Sequence, residues 1–490
     1  MVLNICCKHH ADLNRKTGNR IPVFFACLLN IDKRILRFSY FMLNVCISES
    51  LVLLLVELRP FQDPFNMKKH ILVVGGGFAG INLIKSLRND SRFRITLVDK
   101  NNYHFFPPLI YQVATSFIEA SNISYPFRKL FSNNRNVKFH MGSLVRINSK
   151  EKTIETDTGM LAYDYLILAL GTESNFFGME NVRKHALPMK NIEEALYLRN
   201  HILLTLEEAA RNKDIKQAEK LQNIVIAGGG PTGVELAGML AEMGKYIAQK
   251  EYPEIKLGLS HLYLVDALPS LLSPMSDMAK ETAYEKLKEL GVKIILNVAV
   301  KDYLDCKVIL SDGKTIETET LIWTSGVIGR EVWGLPDKSI GKGRRILVDA
   351  YNKVEETENI YALGDLCLML SEEKYSNGHP QLAQVAIQQG KNLAANFKRI
   401  EDEKVLEPFQ YNDKGSMAII SKYNVVVDLP KHSFKGFMAW LTWLFIHIIP
   451  LVGFKNKLQL AFDWFRLFIT NNPSIRLILY PKKNTENGSV

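Results

Sequence analysis

The sequence predicts an α/β protein of two doubly wound units, the second inserted in the first, followed by a separate C-terminal region. Three observations carry this reading. An apolar strand, a glycine-rich turn and an apolar helix begin at Ile71, and the same grammar returns at Ile224. Each unit runs into a second strand that ends in an acid, Asp99 and Asp266. Beyond 411 the composition changes to aromatic, aliphatic and basic. A chain of 490 residues exceeds one ordinary domain. With 47% hydrophobic and 23% charged residues it is neither disordered nor fibrous. A mean hydropathy of -0.03 excludes a polytopic membrane protein.

Residues 1–66 form an atypical leader. Cys6, Cys7, Cys27 and Cys46 lie in it, against only Cys306 and Cys367 in the rest. Its apolar runs alternate with charged stretches, and no cleavage site follows the first of them. Three readings stay open: a mis-assigned start upstream of Met67, a membrane anchor over 38–56 with Glu49 at its centre, or an accessory segment. The stretch KKHILVVGGGFAGINLIKSLRND then reads as a strand at Ile71–Val74, a turn and a helix; FRITLVDK is the next strand. A hairpin around Thr158-Gly159 leads to a buried strand at 165–170. NIVIAGGGPTGVELAGMLAEMG and HLYLVDA repeat the first unit, and a hairpin around Asp312-Gly313 leads to a buried strand over 320–324. NIYALGDLC and a glutamine-rich helix follow. The expected boundaries are 67–180 and 320–410 for the first unit, 181–319 for the second and 411–490 for the C-terminal region.

The glycines state the chemistry. Gly75 permits a tight turn, Gly77 lets backbone approach a pyrophosphate, and Gly80 allows close helix–strand packing. The helix N-terminus offers free N–H groups and its positive dipole end to phosphate. Asp99 lies the usual ~20 residues further on, placed for a ribose hydroxyl. The second unit uses Gly228, Gly230 and Gly233. Its acid, Asp266, comes later, so KYIAQKEYPEIKLGLS reads as an insertion. A carboxylate there favours a free 2′-hydroxyl, hence NAD(H) over NADP(H), unless Asp266 merely ends a strand. Glu235 is either a charge stabilised by the helix dipole or a group facing the site. Asp365 either holds a cofactor hydroxyl or closes a turn. Two nucleotide sites in one chain suggest a flavin and a nicotinamide placed ring to ring. With no cysteine pair to relay electrons, the acceptor comes from outside.

Charge narrows the partners. The formal net charge is +10 and the pI about 9.0. The last 80 residues hold ten Lys/Arg against four Asp/Glu, together with Trp440, Trp443 and Trp464. Basic residues beside aromatics point to an anionic membrane surface and away from nucleic acid. The uncharged run 436–454 is close to the ~20 residues of a span. Pro450 and His447 favour an interfacial helix, with the tryptophans inserting at the interface; burial of the tryptophans against the body is the competing reading.

In VVGGGFAG, NNYHFFPPLIYQVATSFIEASNISYPFR, LILALGTESNFFG, IAGGGPTGVELAG, LIWTSGV, NIYALGD, HPQLAQVAIQQG, GSMAIISK, GFMAW and LVGFKNK the chain resembles the type II NADH dehydrogenases. These are single-subunit, non-proton-pumping NADH:quinone oxidoreductases, and the resemblance, of bacterial type, covers about 67–475. It implies non-covalent FAD at the first fingerprint, with Gly75, Gly77, Phe78, Ala79, Gly80, Asp99, Lys100, Gly171, Gly364, Asp365 and Ala383 around it. It implies NADH at Gly228, Gly230, Gly233, Asp266 and Gly326, with Glu235 near the nicotinamide. Gln384 and Gln388 would orient the carbonyls of menaquinone or ubiquinone. No metal is implied, and no calcium-binding loop is present in the sequence. The resemblance further implies a peripheral enzyme on the cytoplasmic face of the cell membrane and a homodimer. It departs at Leu170, where broader flavoenzyme relatives carry a threonine, and at ISK in place of IGR near 421. A sulfide:quinone oxidoreductase and an FAD/NAD-sensing protein are the competing functions.

Overall fold

The computed structural model describes residues 68–255, 261–470 and 475–479. The leader and its four cysteines lie outside the described residues. The first sheet has five parallel strands in the order Ile360–Ala362, Tyr165–Leu168, Lys69–Val74, Phe93–Asp99, Val137–Met141. Its central strand is apolar throughout because both faces are covered. Ile71 and Val73 enter one core with Leu83, Ile84 and Phe397, while Leu72 and Val74 enter another with Ile147, Ile346 and Val385.

The second sheet repeats the plan: Leu187–Pro188, Thr320–Trp323, Ile224–Ala227, Leu262–Val265, Lys293–Ile295, all parallel. In each sheet the strand before the glycine turn is central. Each unit also carries a three-stranded antiparallel meander, from Leu144 to Ala162 and from Val300 to Glu317. The chain leaves and re-enters the first unit through one antiparallel pair, Thr172–Ser174 against Val327–Gly329.

One boundary moves. Thr320–Trp323 was expected at the start of the returning half of the first unit, but it pairs with Ile224–Ala227 inside the second sheet. A fully buried strand fits either sheet by composition; pairing alone decides. The expected insertion after the second fingerprint helix (Pro231–Met243) begins as a π-helical segment, Gly244–Ala248, continuing the same helix.

The C-terminal region is a three-stranded antiparallel sheet, Ser416–Ser421, Asn424–Asp428 and Ser433–Lys435, followed by two helices, Phe437–Ile448 and Phe454–Thr470. Strand Ser416–Ser421 lies directly on the second fingerprint helix. Gly238 makes this approach possible, since a Cβ there would overlap the Ile420 carbonyl oxygen. The uncharged run 436–454 breaks at Pro450, and its helix of 12 residues is about 18 Å long, against a hydrocarbon layer of about 30 Å. No helix among the described residues is long and apolar enough to cross a membrane.

Two of the three tryptophans, Trp443 and Trp464, do not take the interfacial positions expected for them, while Trp440 stacks on the outward-facing Phe437. Trp443 is 2% exposed, stacks on His447 at 4.3 Å and touches Trp464 at 5.0 Å. The Trp464 indole donates to Gln112 Oε1 at 2.9 Å. Facing outward instead are Phe437, Met438, Phe445 and Ile449, and on the second helix Phe454, Leu458, Phe462, Phe465 and Ile469. For Trp464 the indole N–H explains the choice, since inside it finds an acceptor that phenylalanine does not need, whereas Trp443 is held inside by its ring contacts with His447 and Trp464.

Candidate functional site: two carboxylate-latched glycine turns

Both fingerprint helices start without a side-chain cap. Their N-cap residues are Gly77 and Gly230, and nothing lies within 4 Å of where a Cβ of either would stand. The first-turn N–H groups are thus left for an external anion. Gly75 (φ 107°) and Gly228 (φ 115°) adopt backbone that side chains resist. A Cβ on Gly80 would overlap the Gly75 carbonyl, and one on Gly233 the Gly228 carbonyl.

The acids do more than the sequence suggested. Asp99 Oδ2 accepts from the Gly76 N–H at 2.7 Å and Oδ1 from the Asn101 N–H at 2.8 Å. Asp266 Oδ2 accepts from the Gly229 N–H and Oδ1 from the Leu268 N–H at 2.7 Å. Each carboxylate latches its own glycine turn and keeps lone pairs free for a ribose hydroxyl.

The two turns are backed by different neighbours, Leu271 lying against Gly229 in the second. Phe127 sits beneath Gly76, and buried His104 hydrogen-bonds the Gly76 carbonyl through Nδ1 at 2.9 Å. Burial pushes the Asp99 carboxyl up, opposed by the Gly76 and Asn101 N–H groups, Lys100 and Arg330. Asp365, in the turn opened by Gly364 (φ 70°), is also pushed up by burial and pulled back by Lys190 and Arg345. Gln389, fully buried, accepts from the Gly364 N–H at 2.7 Å and fixes that turn. The buried Thr172 hydroxyl faces the Asp365 carboxyl and also helps pull it back. Cations, a buried carboxylate and an uncapped helix facing open space fit a dinucleotide with a ribityl chain. Lys190, Arg330 and Gln389 escaped the sequence reading because no motif links residues so far apart. Lys190 precedes the Asn191 cap of helix Ile192–Arg211, and its N–H is held by Glu194 at 2.6 Å.

Glu235 lies on the second fingerprint helix, beside Tyr111 and strand residue Ile419. Burial pushes its carboxyl up to about 8, against the Ile419 N–H. Tyr111 is fully buried and its phenol accepts from Gln112 Nε2 at 3.0 Å. With the Trp464–Gln112 bond, a polar chain runs from the C-terminal helices to the group next to Glu235.

Gln384 and Gln388 sit on helix Ala383–Glu401 with both ends of each amide engaged. Gln384 donates to Gly415 O at 3.0 Å and accepts from Lys414 N at 3.1 Å; Gln388 donates to Asn412 O at 2.9 Å and accepts from Asn412 N at 3.0 Å. They clamp 412–415, the lead-in to the strand that carries Ile419. Gly171 (φ 67°) and Gly326 (φ 71°) flank the pair through which the chain crosses between units. Cys367 is buried and its thiol pushed up to about 11, while Cys306 sits at the turn of a hairpin in the other unit.

Two latched dinucleotide turns in one chain, with the acid Glu235 on the helix of the second, define a nicotinamide-dependent flavoprotein reductase. Residues 69–390 match the family Pyridine nucleotide-disulphide oxidoreductase, and 414–471 match the NDH2 C-terminal domain. The chain is 32% identical over 431 residues to the type II NADH:quinone oxidoreductase Ndh of Mycobacterium tuberculosis, covering 84% of this chain and 91% of the relative. An internal alternative NAD(P)H-ubiquinone oxidoreductase of Arabidopsis thaliana mitochondria is 28% identical, covering 82% of this chain and 84% of that one. Among solved structures, NDH2 from Plasmodium falciparum in complex with NADH aligns at a TM-score of 0.78 and 21% identity over 84% of this chain and 100% of that one. The sulfide:quinone oxidoreductase of Aquifex aeolicus aligns at 0.62 and 21% identity over 83% of this chain and 92% of that one. The chain belongs to the type II NADH:quinone oxidoreductases and is an FAD-dependent enzyme that oxidises NADH and reduces a quinone.

Proposed function

We propose that the first turn holds FAD, with Asp99 on its ribose and Asp365 on its ribityl or pyrophosphate, and that the second turn takes and releases NADH. The observation that carries this is the repeated carboxylate latch, the first with Lys100 and Arg330 near its acid and with the Asp365 turn, itself faced by Lys190 and Arg345, in the same unit. Bound FAD supplies a two-electron acceptor for hydride and a donor to the quinone. The protein's own part is placement and protons. Lys100, Lys190, Arg330 and Arg345 balance phosphate charge, and Asp266 selects a free 2′-hydroxyl. Glu235, protonated below about 8, holds a proton next to Tyr111 for delivery during quinone reduction. Gln384 and Gln388 act on the quinone site as positioning residues, because the segment they clamp sets where Ile419 meets Glu235.

We further propose that the enzyme sits peripherally on the cytoplasmic face of an anionic membrane through the outward row Phe454, Leu458, Phe462, Phe465 and Ile469. A menaquinone or ubiquinone then enters from that side. Both nucleotide sites lie in one chain, so a homodimer would double the site rather than complete it. Replacing Phe454 and Phe462 by glutamate tests the membrane reading: flavin content and NADH oxidation with a water-soluble quinone persist, while sedimentation with vesicles is lost. Undiminished sedimentation would reject this face. The sulfide:quinone alternative gains no support, since Cys306 and Cys367 lie in different units.

A further inference from the structure

Behind the first glycine turn, with Phe78 and His104 in its wall, a cavity of about 530 Å³ opens between the first fingerprint helix, helix Ala383–Glu401 and the turn joining the two C-terminal helices. Its floor is apolar, with Ile81, Leu130 and Val452, and three lysines surround it: Lys85, Lys391 and Lys457. They come from three distant stretches of sequence. Among the described residues none of the three is ion-paired to a carboxylate. Lys457 Nζ donates to the Ile449 carbonyl at 2.7 Å, which turns its charge toward the cavity mouth. Lys85 is half-buried, and burial together with Arg88 and Lys457 holds its ammonium below the usual range. Like charges gathered around a cavity without a counter-charge disfavour one another, and an anion would relieve them.

We propose that this cavity binds the phosphate headgroup of an anionic phospholipid. The FAD pyrophosphate is not the occupant: Lys85 lies about two helical turns, ~10 Å, beyond the helix N-terminus that faces it. The rim points to a lipid over a soluble phosphate. Ile449 and Phe454 are 68% and 76% exposed there, and Phe454 begins the outward apolar row of the last helix. A headgroup among the lysines leaves its acyl chains along that row. The assignment rests on the membrane-facing reading above and adds to it a discrete site built half from the flavin unit.

The test uses flavin-loaded full chain in detergent, incubated with phosphatidylglycerol, exchanged into lipid-free detergent and weighed by native mass spectrometry. The wild type retains one phosphatidylglycerol. Lys85→Gln with Lys391→Gln weakens retention about fivefold per lysine removed, while Lys431→Gln with Lys435→Gln, an equal charge change on the exposed C-terminal hairpin, retains it. Equal retention by both double variants, or none by the wild type, overturns the site. A parallel arm uses inorganic phosphate alone: a thermal shift that depends on Lys85 and Lys391, with no lipid retained, would assign the cavity to a soluble anion and overturn the lipid. Vesicle sedimentation separates the two readings. Wild type that sediments with phosphatidylglycerol vesicles yet retains no lipid defeats only the cavity; wild type that fails to sediment defeats the membrane reading itself.

Discussion

The two glycine turns are near copies in backbone and unequal in surroundings. Both have a positive-φ first glycine, an uncapped third-glycine helix start and a carboxylate accepting from the middle glycine's N–H. Around the first, Phe127 and His104 close over the turn and burial disfavours ionisation of Asp99. Beside the second, buried Leu271 lies against Gly229. The same local device is thus packed by an aromatic ring and an imidazole in one unit and by an aliphatic side chain in the other. Tertiary packing makes the difference.

The sharpest way to break this comparison is to spoil one turn at a time. Gly80→Ala forces a Cβ into the Gly75 carbonyl and should give flavin-free protein. Gly233→Ala should purify yellow yet stay oxidised with NADH while dithionite bleaches it. Flavin loss in both would show that the turns are not independent. Glu235→Gln comes next, with quinone-dependent turnover falling roughly 100-fold. The sign follows from burial: the raised carboxyl is protonated at neutral pH, so wild-type turnover declines as pH rises through about 8, and the variant's profile is flat there. A wild-type-like alkaline limb in Glu235→Gln would remove the acid from the reaction. The same shift makes ionisation of Glu235 unfavourable to folding, so stability is lost between the ordinary carboxylate range and about 8. Thermal melts should find Glu235→Gln relatively more stable at alkaline than at acid pH.

Asp266→Arg has a smaller effect. It strips the acceptor from the Gly229 and Leu268 N–H groups, about 1.5 kcal/mol, or tenfold in NADH affinity. It also narrows the preference over NADPH, and an unchanged preference would reject the selectivity role. Gln388→Leu is the mildest: it loosens 412 and should slow quinone reduction severalfold while leaving the NADH half-reaction alone. Equal slowing of both halves would deny it a positioning role.

What was legible in the sequence was whatever a local constraint forces. Gly75, Gly80, Gly228 and Gly233 are required by dihedral angle or close approach, so their spacing located both turns and strands. The latch between Asp99 and Gly76 was half legible, since the acid was found but its backbone partner was not. Strand Thr320–Trp323 was assigned to the wrong sheet because a run buried on both faces carries no mark of its neighbours. The tryptophans were read as surface anchors by composition; the inward turn of Trp464 depends on Gln112, a residue far from it in sequence. Gln389 was overlooked beside Gln384 and Gln388, although it is the one that fixes Gly364. Lys85, Lys391 and Lys457 look like ordinary surface lysines until folding brings them around one cavity.

The central claim is that one chain holds a resident flavin and, separately, an exchangeable nicotinamide. Anaerobic stopped-flow spectroscopy tests it most directly, on wild type and Asp266→Arg after gel filtration has removed free nucleotide. Both proteins should keep their flavin, bleach with NADH and regain colour on adding a quinone, with the variant slowed only in the bleaching phase. Flavin lost from Asp266→Arg, or colour regained as slowly as it is bleached, would contradict the division of labour between the two turns.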